Sequence, residues 1–197
     1  MQIIRLNIRQ KISRWFENPL VNLFVFLKIP PSVITSIGLV IAIIAAYFCY
    51  IEEFLYAGLL VLLGSLFDLI DGGVARKTGK TSSQGAMLDS VFDRISEIVV
   101  LLGLSFYFLN NKDELMVILT FIALSGSIMV SYVRARAESL GVSGTSGLLT
   151  RPERIVIIVI SLLLGNPSYA IWILAIGTPI SAIHRLIGSL ISMKDKK

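Results

Sequence analysis

Long uncharged apolar runs alternate with short polar breaks along this chain. Ahead of the first run, Ile4, Ile8, Ile12 and Trp15 recur at helical spacing over residues 3–16. Arg5, Arg9 and Lys11 fall elsewhere around the wheel. That pattern predicts an amphipathic helix lying in a membrane interface. Pro30-Pro31 then breaks the chain and opens the next helix. Residues 33–51 carry no charge and as a helix would reach roughly 28 Å, enough to cross a bilayer. Glu52-Glu53 close that run, and a second begins at Phe54 and continues as a helix to Arg76. A third helix is expected from Gly85 to Leu109, polar in its first half and wholly apolar over Ile98–Leu109. Asn110–Asp113 form a loop, Leu115–Val133 a fourth span, and the Gly/Ser-rich stretch 139–150 a second loop. Residues 155–183 are uncharged but broken by Asn166-Pro167. They divide into a short fifth helix over Arg151–Gly165 and a sixth over Ser168–Met193.

The predicted fold class is therefore an all-α integral membrane protein. It has six transmembrane helices plus the N-terminal amphipathic interfacial helix. One membrane-embedded domain occupies 1–197, with 1–30 the interfacial region and 31–193 the six-helix bundle.

Composition agrees. The chain is 55% hydrophobic and only 16% charged, too apolar for a soluble domain of this length. The net charge of +5 sits at the ends of apolar runs rather than on one face. It is thus read as topology, and no nucleic-acid partner is expected. Of the 18 lysines and arginines, only Lys112 falls on the side opposite the termini. The positive-inside rule then places both termini and the polar helix ends in the cytoplasm of a multi-pass cell-membrane protein. The single cysteine, Cys49, cannot form an internal disulfide.

Four aspartates disturb the pattern. Asp68 and Asp71 are i, i+3 on the second span, and Asp89 and Asp93 are i, i+4 on the third. Each pair points one way from its helix, and a short loop folds the two helices antiparallel. A charge in mid-membrane costs about 2.5–3.5 kcal/mol on insertion scales, so four converging carboxylates need a compensating cation. Oxygen-only donors favour hard ions, Mg²⁺ or Mn²⁺. Four carboxylates are enough to bridge two of them, an arrangement suited to phosphoryl displacement. Gly72, Gly73, Ala75 and Gly85 clear side chains from the same region, as close approach of a ligand to backbone requires. Both acidic pairs lie near the cytoplasmic helix ends and no acidic partners follow toward the outer side. That argues against a cation channel.

Taken together these residues read Asp68-x-x-Asp71-Gly72-x-x-Ala75-Arg76, eight residues, then Gly85-x-x-x-Asp89-x-x-x-Asp93. This resembles the signature of the CDP-alcohol phosphotransferase family. The resemblance implies an enzyme that moves a phosphatidyl-type group from a CDP-lipid donor to a small alcohol, releasing CMP. It makes Asp68, Asp71 and Asp89 metal ligands. Asp93 becomes both a ligand and the catalytic base on the attacking hydroxyl. It assigns Gly72, Ala75, Arg76 and Gly85 to the CDP-lipid site, with Thr35, Gly79 and Thr81 contributing by position. It also implies a homodimer.

The acceptor is read from the arginines. Arg134 and Arg136 end the fourth span, Arg151 and Arg154 begin the fifth, and Arg185 lies in the sixth. Five arginines near a metal site suggest a pocket for an anionic group, because a guanidinium suits bidentate phosphate binding. A phosphorylated small alcohol would fit. The run Tyr132-x-Arg-Ala-Arg-Ala-Glu138, then Gly144 and Arg151-Pro-Glu-Arg154, resembles the phosphatidylinositol phosphate synthase branch of the family and its archaetidylinositol phosphate counterparts. By that resemblance the acceptor is myo-inositol 1-phosphate, held through Arg134, Arg154 and Arg185. Glycerol 3-phosphate, the acceptor of phosphatidylglycerophosphate synthases, is the alternative. The arginines alone do not separate the two, and the Arg-Pro-Glu-Arg segment favours inositol phosphate.

Overall fold

The computed structural model describes residues 18–142 and 147–194. The expected helix over 3–16, Gly144 and the last lysines lie outside the described residues. Within them the chain forms seven helices and no strand. These are α1 (Asn18–Phe26), α2 (Pro31–Tyr50), α3 (Phe54–Thr78), α4 (Ser83–Asn110), α5 (Glu114–Ser139), α6 (Arg151–Leu163) and α7 (Ser168–Lys194). The short helix α1 was not separated in the sequence reading from the interfacial region before it.

Local chemistry sets the boundaries. Pro31 stands in the first turn of α2, where its missing N–H costs nothing. Gly79 terminates α3 with φ 66°, the left-handed cap that glycine adopts without strain. Ser82 caps α4 by accepting the Gly85 N–H at 3.0 Å, and Asp113 caps α5 by accepting from Met116 N–H at 3.1 Å. The break at Asn166-Pro167 separates α6 from α7 as expected. Ser161 Oγ ties that corner, donating to the Asn166 carbonyl at 2.5 Å and accepting from Ala170 N–H at 2.9 Å.

Four helices, α2, α3, α5 and α7, are long and apolar enough to cross a membrane. Two of the six expected spans do not meet that description. The first half of α4 is polar, and α6 has 13 residues, roughly 20 Å of rise. Large apolar side chains face outward along the bundle, including Phe106, Phe121, Ile176 and Ile183. This is the inverse of a soluble surface and is suited to lipid.

The main apolar core gathers Ala45, Val100, Leu101, Leu104, Ile158, Leu162, Ile171 and Leu174 from α2, α4, α6 and α7. α2 packs against both α3 and α4, α5 packs against α7, and α6 lies along α3. Glycine allows the closest approaches. A Cβ on Gly103 of α4 would come within 2.4 Å of the Ala46 carbonyl oxygen of α2. A smaller cluster of Val21, Ile34, Ile70 and Val74 joins α1, α2 and the polar end of α3. It fixes the helix ends that carry the aspartates.

Candidate active site

The helical spacing brings the acidic residues of α3 and α4 to one end of the bundle. Asp71 is buried and accepts a hydrogen bond of 2.6 Å from Thr35 Oγ1 of α2. Asp68, Asp89 and Asp93 are half-buried. One cation already stands among them. Arg151, the first residue of α6, places Nη2 2.6 Å from Asp68 Oδ2 and Nη1 2.8 Å from Asp93 Oδ2. Its guanidinium thus joins a carboxylate of α3 to a carboxylate of α4. The second oxygen of Asp93, Oδ1, is buried with no hydrogen-bond partner among the described residues, and so is Arg151 Nε.

As they stand, no three acidic, histidine or cysteine side chains among the described residues converge closely enough to hold a metal ion. The donor set nevertheless fits one. All four side chains offer oxygen donors, one is already oriented by a hydroxyl, and one presents a buried oxygen that lacks a partner among the described residues.

Beside the carboxylates lies a pocket with about 640 Å³ of empty space, open to solvent. Thr35, Asp71, Gly72, Ala75, Arg76, Thr81, Gly85 and Asp89 line it. This pocket brings together every residue assigned to the CDP-lipid except Gly79. Gly79 is outside the lining, and its conformation accounts for it as the cap of α3. A Cβ on Gly72 would stand 3.2 Å from Arg76 Nη1, so any side chain there would press on the arginine and narrow the pocket. Pro31, Ser32, Lys80 and Ser82 also line it. The sequence gives none of them a role in this site, although Lys80 and Ser82 lie in the loop that joins the two halves of the acidic motif.

The five arginines have different partners in the structure. Arg151 is engaged with Asp68 and Asp93. Arg154 is fully buried and donates from Nε and Nη2 to Glu97 at 2.6 and 2.7 Å, and from Nη1 to the Leu149 carbonyl at 3.2 Å. Arg185 is buried, donates from Nη1 to the Val130 carbonyl at 3.3 Å, and leaves Nε without a partner among the described residues. Arg134 lies close enough to act electrostatically on Arg185. Its own side chain is 62% exposed and pairs with Glu138. Arg136 is exposed. Glu97 was missed by the sequence reading. The available signal was its position four residues after Asp93, on the same face of α4.

Residues 28–183 match the family model for CDP-alcohol phosphatidyltransferase. The chain is a member of the CDP-alcohol phosphatidyltransferase family. The transferase is 38% identical over 181 residues to an archaetidylinositol phosphate synthase of Pyrococcus horikoshii, covering 91% of this chain and 93% of that one. It is 34% identical over 167 residues to the phosphatidylinositol phosphate synthase of Mycobacterium tuberculosis, covering 79% of this chain and 77% of the relative. The fold of the transferase is similar to crystal structures of the M. tuberculosis synthase. With CDP-DAG bound, that structure superposes with a TM-score of 0.81 at 29% identity, covering 88% of this chain and 93% of that chain. In complex with manganese and citrate it gives 0.83 at 29% identity, covering 89% of both chains.

Proposed function

We propose that this transferase joins the phosphatidyl-type group of a CDP-lipid to myo-inositol 1-phosphate and releases CMP. The observation that carries the acceptor is Arg185, a buried guanidinium whose Nε lacks a partner among the described residues. A buried cation of this kind calls for an anion, and a phosphate on the acceptor supplies one. Relatives named for inositol phosphate products support the same choice.

In this reading Asp68, Asp71, Asp89 and Asp93 hold two divalent ions, Mg²⁺ or Mn²⁺. When bound, the ions supply positive charge for the pyrophosphate of the donor and for the CMP that departs. The pocket between Thr35, Arg76 and Gly85 orients the nucleotide. Thr35 fixes the Asp71 carboxylate by its hydrogen bond. Asp93 accepts the proton of the acceptor hydroxyl. The hydroxyl oxygen then bonds to the lipid-linked phosphorus, the bond from that phosphorus to the CMP oxygen breaks, and CMP leaves with the electron pair. In the bilayer, α2 to α7 make six spans, with α4 and α6 crossing beside the four more apolar helices. The active site and both termini face the cytoplasm.

The test measures CMP release by purified protein with Mg²⁺ and CDP-diacylglycerol. Myo-inositol 1-phosphate, glycerol 3-phosphate, myo-inositol and serine are offered in parallel. Release with inositol phosphate alone, abolished by EDTA, is the expected result. Release with glycerol 3-phosphate alone overturns the acceptor and keeps the chemistry. If all four fail with CDP-diacylglycerol and again with CDP-archaeol, the reading is overturned.

A further inference from the structure

Arg151 stands where its chemistry is least expected. It is the first residue of α6, and a cation at a helix N-terminus meets the positive end of the helix dipole. Its side chain is nonetheless largely buried, with one amino group on Asp68 and the other on Asp93. The two carboxylates belong to α3 and α4, helices whose backbones approach each other at only a few positions. Without a positive charge between them the carboxylates would repel. Arg151 supplies that positive charge through its contacts with Asp68 and Asp93. The guanidinium occupies one oxygen of each carboxylate, so it would compete with a divalent ion for their negative charge. A divalent ion held by these carboxylates would draw on the same oxygens that now accept from Arg151.

We propose that Arg151 is a positioning residue that acts as the resident counter-cation of the carboxylate site and is exchanged for the divalent ion on binding. The inference rests on the reading that these aspartates bind metal. It adds that a residue of the chain itself competes with the ion and so sets its affinity. Two features suit Arg151 to the exchange. It leads its helix and is preceded by a loop, so it moves without unwinding α6. Its Nε has no partner among the described residues, so only the two carboxylates and packing hold the guanidinium. A group that binds the metal-free site and not the loaded one must weaken metal binding, by linkage.

The experiment titrates the full-length protein in detergent with Mn²⁺ alone, following free Mn²⁺ by electron paramagnetic resonance, and records thermal melts with and without the ion. Arg151→Ala is expected to bind Mn²⁺ about five- to tenfold more tightly than wild type, at the lower end of ordinary coupling between sites. Its metal-free melting temperature falls, so the gap between metal-free and Mn²⁺-saturated melts widens. Arg151→Lys keeps the charge but cannot reach two carboxylates through a fixed fork. It preserves the fold and is expected to show a smaller tightening. Unchanged or weaker Mn²⁺ binding in either variant overturns the inference. If Asp68→Asn still weakens binding in the wild-type background, the carboxylate site survives that result. Wild-type protein that binds no Mn²⁺, or binding indifferent to Asp68→Asn and Asp93→Asn, overturns the inference and the metal reading together.

Discussion

Glu97 of α4 accepts two hydrogen bonds from Arg154 of α6, at 2.6 and 2.7 Å, with the side chains only 4% and 1% exposed. This buried fork ties the acidic helix to the helix that carries Arg151. Asp93 and Glu97 are one helical turn apart on α4, and Arg151 and Arg154 are about one turn apart on α6. The two pairs therefore form successive rungs between the same two helices. The inner rung is sealed from solvent; the outer rung is part of the candidate active site.

Breaking the inner rung on one side leaves an uncompensated buried charge. Arg154→Ala is expected to destabilise the protein by about 3–5 kcal/mol. The double replacement Glu97→Leu with Arg154→Leu should recover much of that loss. Melting temperatures in one detergent decide the matter. A double variant no more stable than the single would show that the pair contributes more than the desolvation of two charges.

Asp93→Asn removes the proposed base while leaving the backbone and Arg151 in place. CMP release should fall by roughly 10²–10⁴-fold. The variant should still purify as a folded protein, because the asparagine amide can still present an oxygen to Arg151 Nη1 in place of Asp93 Oδ2, and Asp93 Oδ1 has no partner among the described residues. Retained turnover above one tenth of wild type would remove Asp93 from the proton transfer.

Thr35→Val is nearly isosteric but cannot donate to Asp71. The lost 2.6 Å hydrogen bond should lower metal affinity or activity about 10–100-fold, the usual effect of deleting a partner that orients a ligand. Thr35→Ser retains the hydroxyl and should stay near wild type. Equal losses in both variants would point to the methyl group and packing instead.

Gly103→Ala tests the close backbone approach of α2 and α4. The added Cβ would lie 2.4 Å from the Ala46 carbonyl oxygen and 2.8 Å from its Cα. Backbone cannot yield as a side chain can, so α2 and α4 must separate. A destabilisation of about 1–3 kcal/mol or more is expected, read as a lower melting temperature. Gly141→Ala is the contrast. Gly141 has φ 76° and open space around its Cβ position, so its penalty comes from the backbone alone, about 1–2 kcal/mol.

Much of the molecule was legible before any coordinates. Apolar runs bounded by Pro31, Glu52-Glu53, Asn110–Asp113 and Asn166-Pro167 locate the helices, because chain breaks and helix length are local properties. The i, i+3 and i, i+4 spacing of the aspartates puts each pair on one face, because the helical period is fixed. The family signature follows from the same residues.

The partners of the arginines were not legible. Arg151 meets Asp68 across 83 positions, and Arg154 meets Glu97 across 57. No local periodicity encodes which of two arginines, one turn apart, reaches the outer carboxylate and which the inner one. From the sequence, the five arginines beside the metal motif are not distinguished by partner, because charge and composition carry no depth. The sequence by itself determined the helices, the placing of each aspartate pair on one helix face, and the family. Only the tertiary structure decided that α6 lies along α3, so that Arg154 is sealed against Glu97 and Arg151 spans Asp68 and Asp93, while Arg151 and Arg185 each keep a buried Nε without a partner among the described residues. Burial and charge pairing depend on how helices pack, and packing is a property of the whole bundle.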